Sequence, residues 1–521
     1  MHSRILRLTS ALVAAAGVTW ASGALSSTPV AAVEGHRLSS VAWREPTTPV
    51  SGGLVSFDVV LDAGPESTIV ARLTGAVVDT IPDGCEPSSV VRARSRLEDD
   101  GATLICEPPG GGPTDLRVDV RTGTTPGPIT ASVEEAGQSQ ELPELTVATG
   151  RTDTPRTLRL ISSPDFLNAD VADLRRGPNA WRPRRSSNGT SPAYEGAIGA
   201  VLDDWARQAP DAVLVAGDLV NGRWDRDDHH TGTFGPLRTR RERARAVHRA
   251  AATYYPQYLE RFRERGLALY PAIGDHEYGD NPWRAEKRRL APVFAREFAR
   301  HFTRAPGGQP RFADHPGGRH AGTAYAWRPA PDVQVVSIDP FDITRGRSRI
   351  RLDEPQRRWL VGVLRRAQAD GVRWTIVQGH VPVLEPVRAR GSSELHYPGG
   401  PQSELWRIFE RYGVDLYLCG EVHDVTASEY GGVVQLAHGG AFQYGLTTYA
   451  VLDVHEDRIE VSLKDYAVHV RWAGRRLWET ARSGLPGSIR VDPEPFTIGT
   501  LTLDGAGGLT RRSALLLPYR S

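Results

Sequence analysis

Lysine is almost missing from this 521-residue chain, with Lys287 and Lys464 the only two, so arginine carries nearly all of the 63 basic charges. That skew reads as a coding bias before it reads as a binding function. The chain also lacks an excess of either sign: 62 acidic residues leave a formal net charge of +1, which argues against a protein held to nucleic acid or a membrane surface by bulk electrostatics. Long apolar runs are missing after the N-terminus, so no transmembrane segment is expected in the mature chain. No Gly-x-Ser-x-Gly elbow follows a strand, which dismisses a serine-nucleophile hydrolase of that kind. What remains is ordinary globular composition, 40% hydrophobic and 24% charged, with room for two or three domains.

The N-terminus carries Arg4 and Arg7, the apolar Leu12-Val-Ala-Ala-Ala-Gly-Val18, and small residues ending Val30-Ala-Ala32. These are the three parts of a secretory signal peptide over residues 1–32, cleaved after Ala32 or alternatively after Ala24. The expectation is a secreted or extracytoplasmic protein, and no cysteine after the apolar region supports a lipid anchor. Cysteine is scarce, with three in all. In an exported chain Cys85 and Cys106 are expected to form a disulfide around a loop of about 20 residues, worth about 3 kcal/mol in a chain-entropy picture. Cys419, on a core strand, is expected as a buried free thiol.

Residues 33–150 read as a small all-β sandwich of immunoglobulin-like type, from alternating segments such as Leu54–Leu61, Thr68–Leu73 and Leu116–Arg121 between Gly/Pro-rich turns. Ala148–Pro155 is the expected linker. From Thr157 onward strands alternate with helices. Tyr194–Gln208 places Ile198, Val201, Leu202 and Trp205 on one face, and Glu354–Asp370 does the same with Trp359, Leu360, Val363 and Leu364. Arg238–Arg265 reads as a highly charged, solvated surface helix. Tyr449–Leu463 returns to a β pattern, and residues 466–521 are expected as a C-terminal β extension.

Four strands end in the same way: Ala212–Ala216 runs into Gly217-Asp218, Leu267–Ile273 into Gly274-Asp275-His276-Glu277, Trp374–Gln378 into Gly379-His380, and Asp415–Cys419 into Gly420-Glu421-Val422-His423. Hydrolysis of a phosphate ester needs charge neutralisation, an activated water and a proton for the leaving oxygen. Two metal ions about 3.5–4 Å apart supply the first two, held by carboxylates and imidazoles converging from several strand ends. Asp165, Asp218, Asp275, His380, Glu421 and His423 are the candidate ligands. Each alone could be a helix cap or a satisfied polar residue; six in order on strand ends point to a metal centre.

With Ser163-Pro-Asp165-Phe-Leu-Asn168, Gly217-Asp218-Leu-Val-Asn221, Gly274-Asp275-His276-Glu277, Gly379-His380 and Gly420-Glu421-Val-His423, the chain resembles the calcineurin-like metallophosphoesterase superfamily over residues 156–465. The resemblance implies a four-layer α/β/β/α sandwich and a two-metal centre. Asp165, Asp218 and His423 would hold the first metal; Asp218 as bridge, Asp275, His380 and Glu421 would hold the second. A hydroxide bridging the metals would be the nucleophile, His276 would steady the phosphate and protonate the leaving oxygen, and Asp280 would orient His276.

Three positions depart from the family pattern. Leu167 stands where the first histidine belongs, leaving Asn168, Asn221 or water to replace it. Asp275 replaces asparagine and Glu421 replaces histidine. Oxygen ligands favour harder ions, so manganese, iron or magnesium is expected and zinc less so. Asp165, Asp218, Asp275 and Glu421 together carry a charge of −4, which two divalent ions would neutralise. Such a centre should attract a dianionic monoester less strongly, so either a trivalent iron is present or a monoanionic diester is the better substrate.

The function expected is an exported metal-dependent phosphoesterase. The alternatives are a phosphomonoesterase of acid-phosphatase type, or a catalytically degenerate family member serving as a binding or adhesion protein. The partner expected is a phosphate-ester substrate, with no nucleic-acid-binding patch. Arg175–Arg185 reads as a solvated basic loop, with contact to a phosphate or anionic head group the alternative; Trp224–His230 and His396-Tyr397 are expected as loops rimming the site, and Asp339 as a structural residue.

Overall fold

The structure, a computed structural model, describes most of residues 37–146, together with 156–165, 192–220, 222–226, 234–387, 392–440, 447–470, 489–504 and 508–512. The expected signal peptide, the expected linker, the loop Arg175–Arg185, and Leu167, Asn168 and Asn221 lie outside the described residues.

Strand Leu54–Leu61 explains the N-terminal domain: Val55, Phe57, Val59 and Leu61 are buried on one face. It pairs antiparallel with Leu38–Trp43 on one side and Thr114–Thr122 on the other. A second antiparallel sheet, built around Ile69–Thr74, Pro128–Glu135 and Gly101–Cys106, shares one apolar core with the first. This is the expected all-β sandwich. Cys85 and Cys106 face each other on neighbouring strands and are disulfide-bonded.

In the following domain, alternation sets two stacked sheets with both faces covered. Leu158 and Leu160 share one core with Leu214, Ile376, Leu416 and Leu418, which is the layer between the sheets. Ile161, Val213, Val215, Val377, Tyr417 and Cys419 point the other way, into cores shared with the helices. A strand buried on both faces needs apolar residues at every position, which is why these strands read as unbroken apolar runs. The result is the expected α/β/β/α layering.

One sheet has seven strands in the order Leu269–Pro271, Ala212–Val215, Leu158–Ser163, Thr448–Val454, Arg458–Asp465, Phe496–Asp504, Gly508–Arg512. The other has six: Tyr325–Ala330, Val333–Ser337, Trp374–Gln378, Leu416–Cys419, Val433–His438, Val425–Tyr430. The first three strands of the former run parallel to one another, as do the central four of the latter. Parallel strands put their carboxyl ends on one edge, where loops can gather side chains.

Two elements differ from the sequence reading. The helix Arg240–Arg263 is no purely solvated rod: Ala246, Val247, Ala250, Ala251, Tyr254, Tyr255, Tyr258 and Phe262 are buried along one stripe, and Thr239 and Glu242 cap its start reciprocally. Arginines between these positions mask the apolar period. Phe496–Asp504, placed by sequence in a C-terminal extension, pairs along the whole of Arg458–Asp465 in the same sheet. An edge strand with unpaired backbone groups gains a partner there.

Candidate metal centre

Glycine precedes the ligand positions because the strand ends crowd together. A Cβ on Gly274 would lie 2.1 Å from Asp218 Oδ1 and 2.4 Å from the Asp218 nitrogen. One on Gly217, at φ 95°, would meet His380 Nδ1 at 2.7 Å. The loops bend sharply: the candidate ligands Asp218, Glu421 and His423, with Asp280 and Glu394 in neighbouring loops, all have φ between 57° and 66°, and among the described non-glycine residues only Ala136 and Ala209 share that conformation. Left-handed backbone in such residues costs roughly 1–3 kcal/mol each and persists where surrounding contacts enforce it. Here it turns four strand-end loops towards one point.

At that point stands His380, fully buried. Its Nδ1 donates to the carbonyl of Ala216 at 2.9 Å, which fixes the ring with Nε2 towards the carboxylates; burial disfavours the imidazolium, but Asp218, Asp275 and Glu421 outweigh it and hold the imidazole well above its ordinary range. Nε2 faces Asp275 Oδ1 at 3.1 Å, Asp218 Oδ2 at 3.3 Å and Glu421 Oε2 at 3.4 Å. Three carboxylate oxygens and one imidazole nitrogen, from four strand ends, therefore converge on a single space. Asp165 lies on the other side of the ring, with Oδ1 3.5 Å from His380 Nδ1 and Oδ2 3.8 Å from His423 Nε2. Both of its oxygens accept from the Glu421 nitrogen, at 3.2 and 3.0 Å.

Buried carboxylates without a cation are unfavourable, and the site shows it. Burial pushes the Asp165 and Asp218 carboxyls up from their ordinary range, and Asp275 beside Asp218 pushes the latter further. Asp275 is held low: burial opposes ionisation, but His276, His380 and Asn281 outweigh it. This donor set fits a divalent cation, which would relieve the repulsion among all four groups at once. Asp218, Asp275, His380 and Glu421 would hold one ion. Asp165, His423 and Asp218 offer the sparser second set.

His276 lies beside this cluster, with Nε2 3.8 Å from Asp218 Oδ2 and 3.8 Å from Asp280 Oδ1. Its donor atom also lies within 4.8 Å of those of Asp218 and Asp275. Asp280 is in turn paired with Arg223 at 2.8 Å, and its carbonyl accepts from Lys287. His276 thus stands at the cluster's edge with a braced carboxylate behind it.

Residues 192–425 match the family of calcineurin-like phosphoesterases. The chain carries a calcineurin-like phosphoesterase domain. Such domains use a dinuclear metal centre and belong to phosphoric ester hydrolases. No curated protein matches the sequence. Among solved structures, PhoD aligns with 90% of this chain and 91% of its own at 10% identity, with a TM-score of 0.40. GAP50, the anchor in the inner membrane complex of Plasmodium, aligns with 60% of this chain and 85% of its own at 12% identity and TM-score 0.32. A predicted phosphoesterase from Streptococcus pneumoniae covers 65% of this chain and 97% of its own at 9% identity and TM-score 0.21.

Several residues that shape this phosphoesterase site were not singled out in the sequence. Glu277 accepts from the backbone nitrogens of Gly274, Asp218 and Val220 at 2.8, 2.9 and 3.2 Å, tying two ligand loops together. Burial raises its carboxyl to about 7. Ser392 and Ser393 donate to Glu421, and Asn281 donates to Asp275. Their only signal is polarity next to a motif, which most loops share. Asp339, read as structural, is fully buried and accepts from Tyr278, His320 and Thr323, so it anchors the turn that carries His276. Of the expected rim residues, Trp224 is instead core, packed on Tyr254, Tyr255 and Phe294, while residues 227–230 lie outside the described residues. Tyr397 is buried beneath its loop and His396 is exposed.

Proposed function

We propose that this chain is an exported phosphodiesterase that uses manganese, iron or magnesium. The observation that carries the reading is the ring of carboxylate oxygens from Asp218, Asp275 and Glu421 within 3.1 to 3.4 Å of His380 Nε2. When bound there, paired metal ions supply charge neutralisation and an acidified water. Everything else falls to the side chains. His276, with Asp280 and Arg223 behind it, donates a proton to the departing oxygen, a task that favours a group titrating near neutral pH. Glu277 fixes the spacing of the Asp218 and Asp275 loops. Oxygen donors in place of one amide and one imidazole favour hard ions.

Charge supports the diester. Asp165, Asp218, Asp275 and Glu421 bring four negative charges, which two divalent ions cancel, so the centre offers little net attraction to a dianion. The expected result is a kcat/KM for bis(p-nitrophenyl) phosphate at least about tenfold above that for p-nitrophenyl phosphate, a difference of about 1.4 kcal/mol in transition-state stabilisation. The reverse order with two divalent ions bound would overturn the preference. Export rests on Arg4, Arg7 and the apolar segment Leu12–Val18. Mass spectrometry of the native N-terminus should find the chain beginning after Ala32 or Ala24.

A further inference from the structure

Asp275 and Glu421 each turn one oxygen towards His380 and give the other away entirely. Glu421 Oε1 accepts from Ser392 Oγ at 3.0 Å, the Ser393 nitrogen at 2.8 Å, Ser393 Oγ at 2.7 Å and the Leu395 nitrogen at 3.2 Å. Asp275 Oδ2 accepts from the nitrogen and the Nδ2 of Asn281, at 3.2 and 2.8 Å. The two arrangements are joined, because Asn281 Nδ2 also donates to Ser393 Oγ at 2.8 Å. Proton supply is consistent throughout: the two amide hydrogens of Asn281 serve Asp275 and Ser393, and the one hydroxyl hydrogen of Ser393 serves Glu421.

We propose that Asn281, Ser392 and Ser393 form a strap that holds Asp275 and Glu421 as one-oxygen ligands and so selects small, six-coordinate divalent ions over calcium. The proposal rests on the metal-centre reading above and concerns which ion the centre takes. Calcium takes six to eight oxygens and accepts carboxylates through both of theirs, whereas magnesium-sized ions demand near-octahedral single contacts. With Glu421 Oε1 and Asp275 Oδ2 saturated, only Oε2 and Oδ1 remain to be offered, 3.4 and 3.1 Å from His380 Nε2. A carboxylate freed from the strap could rotate and present both oxygens, enlarging the site. Asn281, Ser392 and Ser393 are positioning residues: they touch the ligands, and through them the ion.

The test is titration calorimetry of chelator-stripped full-length protein with Mn²⁺ and, separately, Ca²⁺. Wild type, Asn281→Ala, the double variant Ser392→Ala/Ser393→Ala, and Ser393→Thr are compared, with thermal melts of the metal-free proteins as a check on folding. The alanine variants should lose about 10–100-fold in Mn²⁺ affinity, the usual cost of removing hydrogen bonds to metal ligands. Their Mn²⁺-to-Ca²⁺ affinity ratio should fall by about tenfold or more, because calcium gains the released oxygens. Ser393→Thr, which keeps the hydroxyl, should behave as wild type. Should the double variant misfold, Ser393→Ala alone removes a single oxygen and carries the same expectation. Wild type binding Mn²⁺ with the alanine variants unchanged in affinity and ratio would overturn the strap and leave the metal centre standing. Wild type binding no Mn²⁺ at all would overturn the metal reading, and the strap with it.

Discussion

His276 is the residue on which chemistry and architecture can be separated. It lies at the edge of the cluster, 3.8 Å from both Asp218 and Asp280, rather than among the four donors around His380 Nε2. His276→Ala should therefore lower kcat by about 10²–10⁴-fold while leaving metal content unchanged, measured by steady-state kinetics and elemental analysis on the same sample. A variant that loses its metals instead would make His276 a ligand. Five of the six candidate ligands were legible in sequence because they followed an apolar run and a glycine; Asp165, after Ser163-Pro164, was placed by the family pattern. Asn281, Ser392 and Ser393 were not, since a hydrogen bond to a ligand needs only a donor at the right place and has no spacing rule. The same holds for Glu277, whose three backbone partners sit 3, 59 and 57 positions away.

At the scale of elements, the strand-end glycines carry a prediction that side-chain chemistry alone would miss. Gly274→Ala would place a methyl 2.1 Å from Asp218 Oδ1, against backbone as well as side chain, so the Asp218 loop must move. Metal affinity should drop by at least about tenfold, by analogy with displaced ligand-orienting contacts, and titration calorimetry would show it. A second prediction concerns His438, at the end of strand Val433–His438, where burial holds the imidazole down to about 4 and its Nε2 lies 3.0 Å from Ser162 Oγ. Unfolded, it titrates near 6.5, so between about pH 6.5 and 4 the unfolded chain binds the extra proton and stability falls as pH falls. The shift corresponds to about 3 kcal/mol, fully lost below about pH 4. His438→Gln should flatten the melting temperature over that interval, and an unchanged slope would assign the acid sensitivity elsewhere. Strands were readable because burial on both faces writes continuous apolar runs. Helix Arg240–Arg263 was misjudged because arginine is so abundant here that charged residues interrupt even a buried stripe.

For the whole molecule, the α/β class followed from the alternation of strands and helices after residue 156 and the layer order from the family resemblance, while the reach of the final strands did not. Between Phe496–Asp504 and its partner strand the chain forms a separate strand pair, Val468–Val470 with Ile489–Val491, and only long-range pairing shows that the flanking strands belong to one sheet. The N-terminal sandwich, with its own core and the Cys85–Cys106 disulfide, contributes no side chain to the metal centre among the described residues.

The most direct measurement of the central claim is elemental analysis of the purified full-length chain by plasma mass spectrometry, with phosphodiester hydrolysis followed before chelation, after it, and after metal is restored. Near two metal ions per chain, drawn from manganese, iron or magnesium, with turnover lost on chelation and regained on restoration, is the result expected from ligands at Asp165, Asp218, Asp275, His380, Glu421 and His423. One ion or none, with no turnover after manganese is added back, would contradict it.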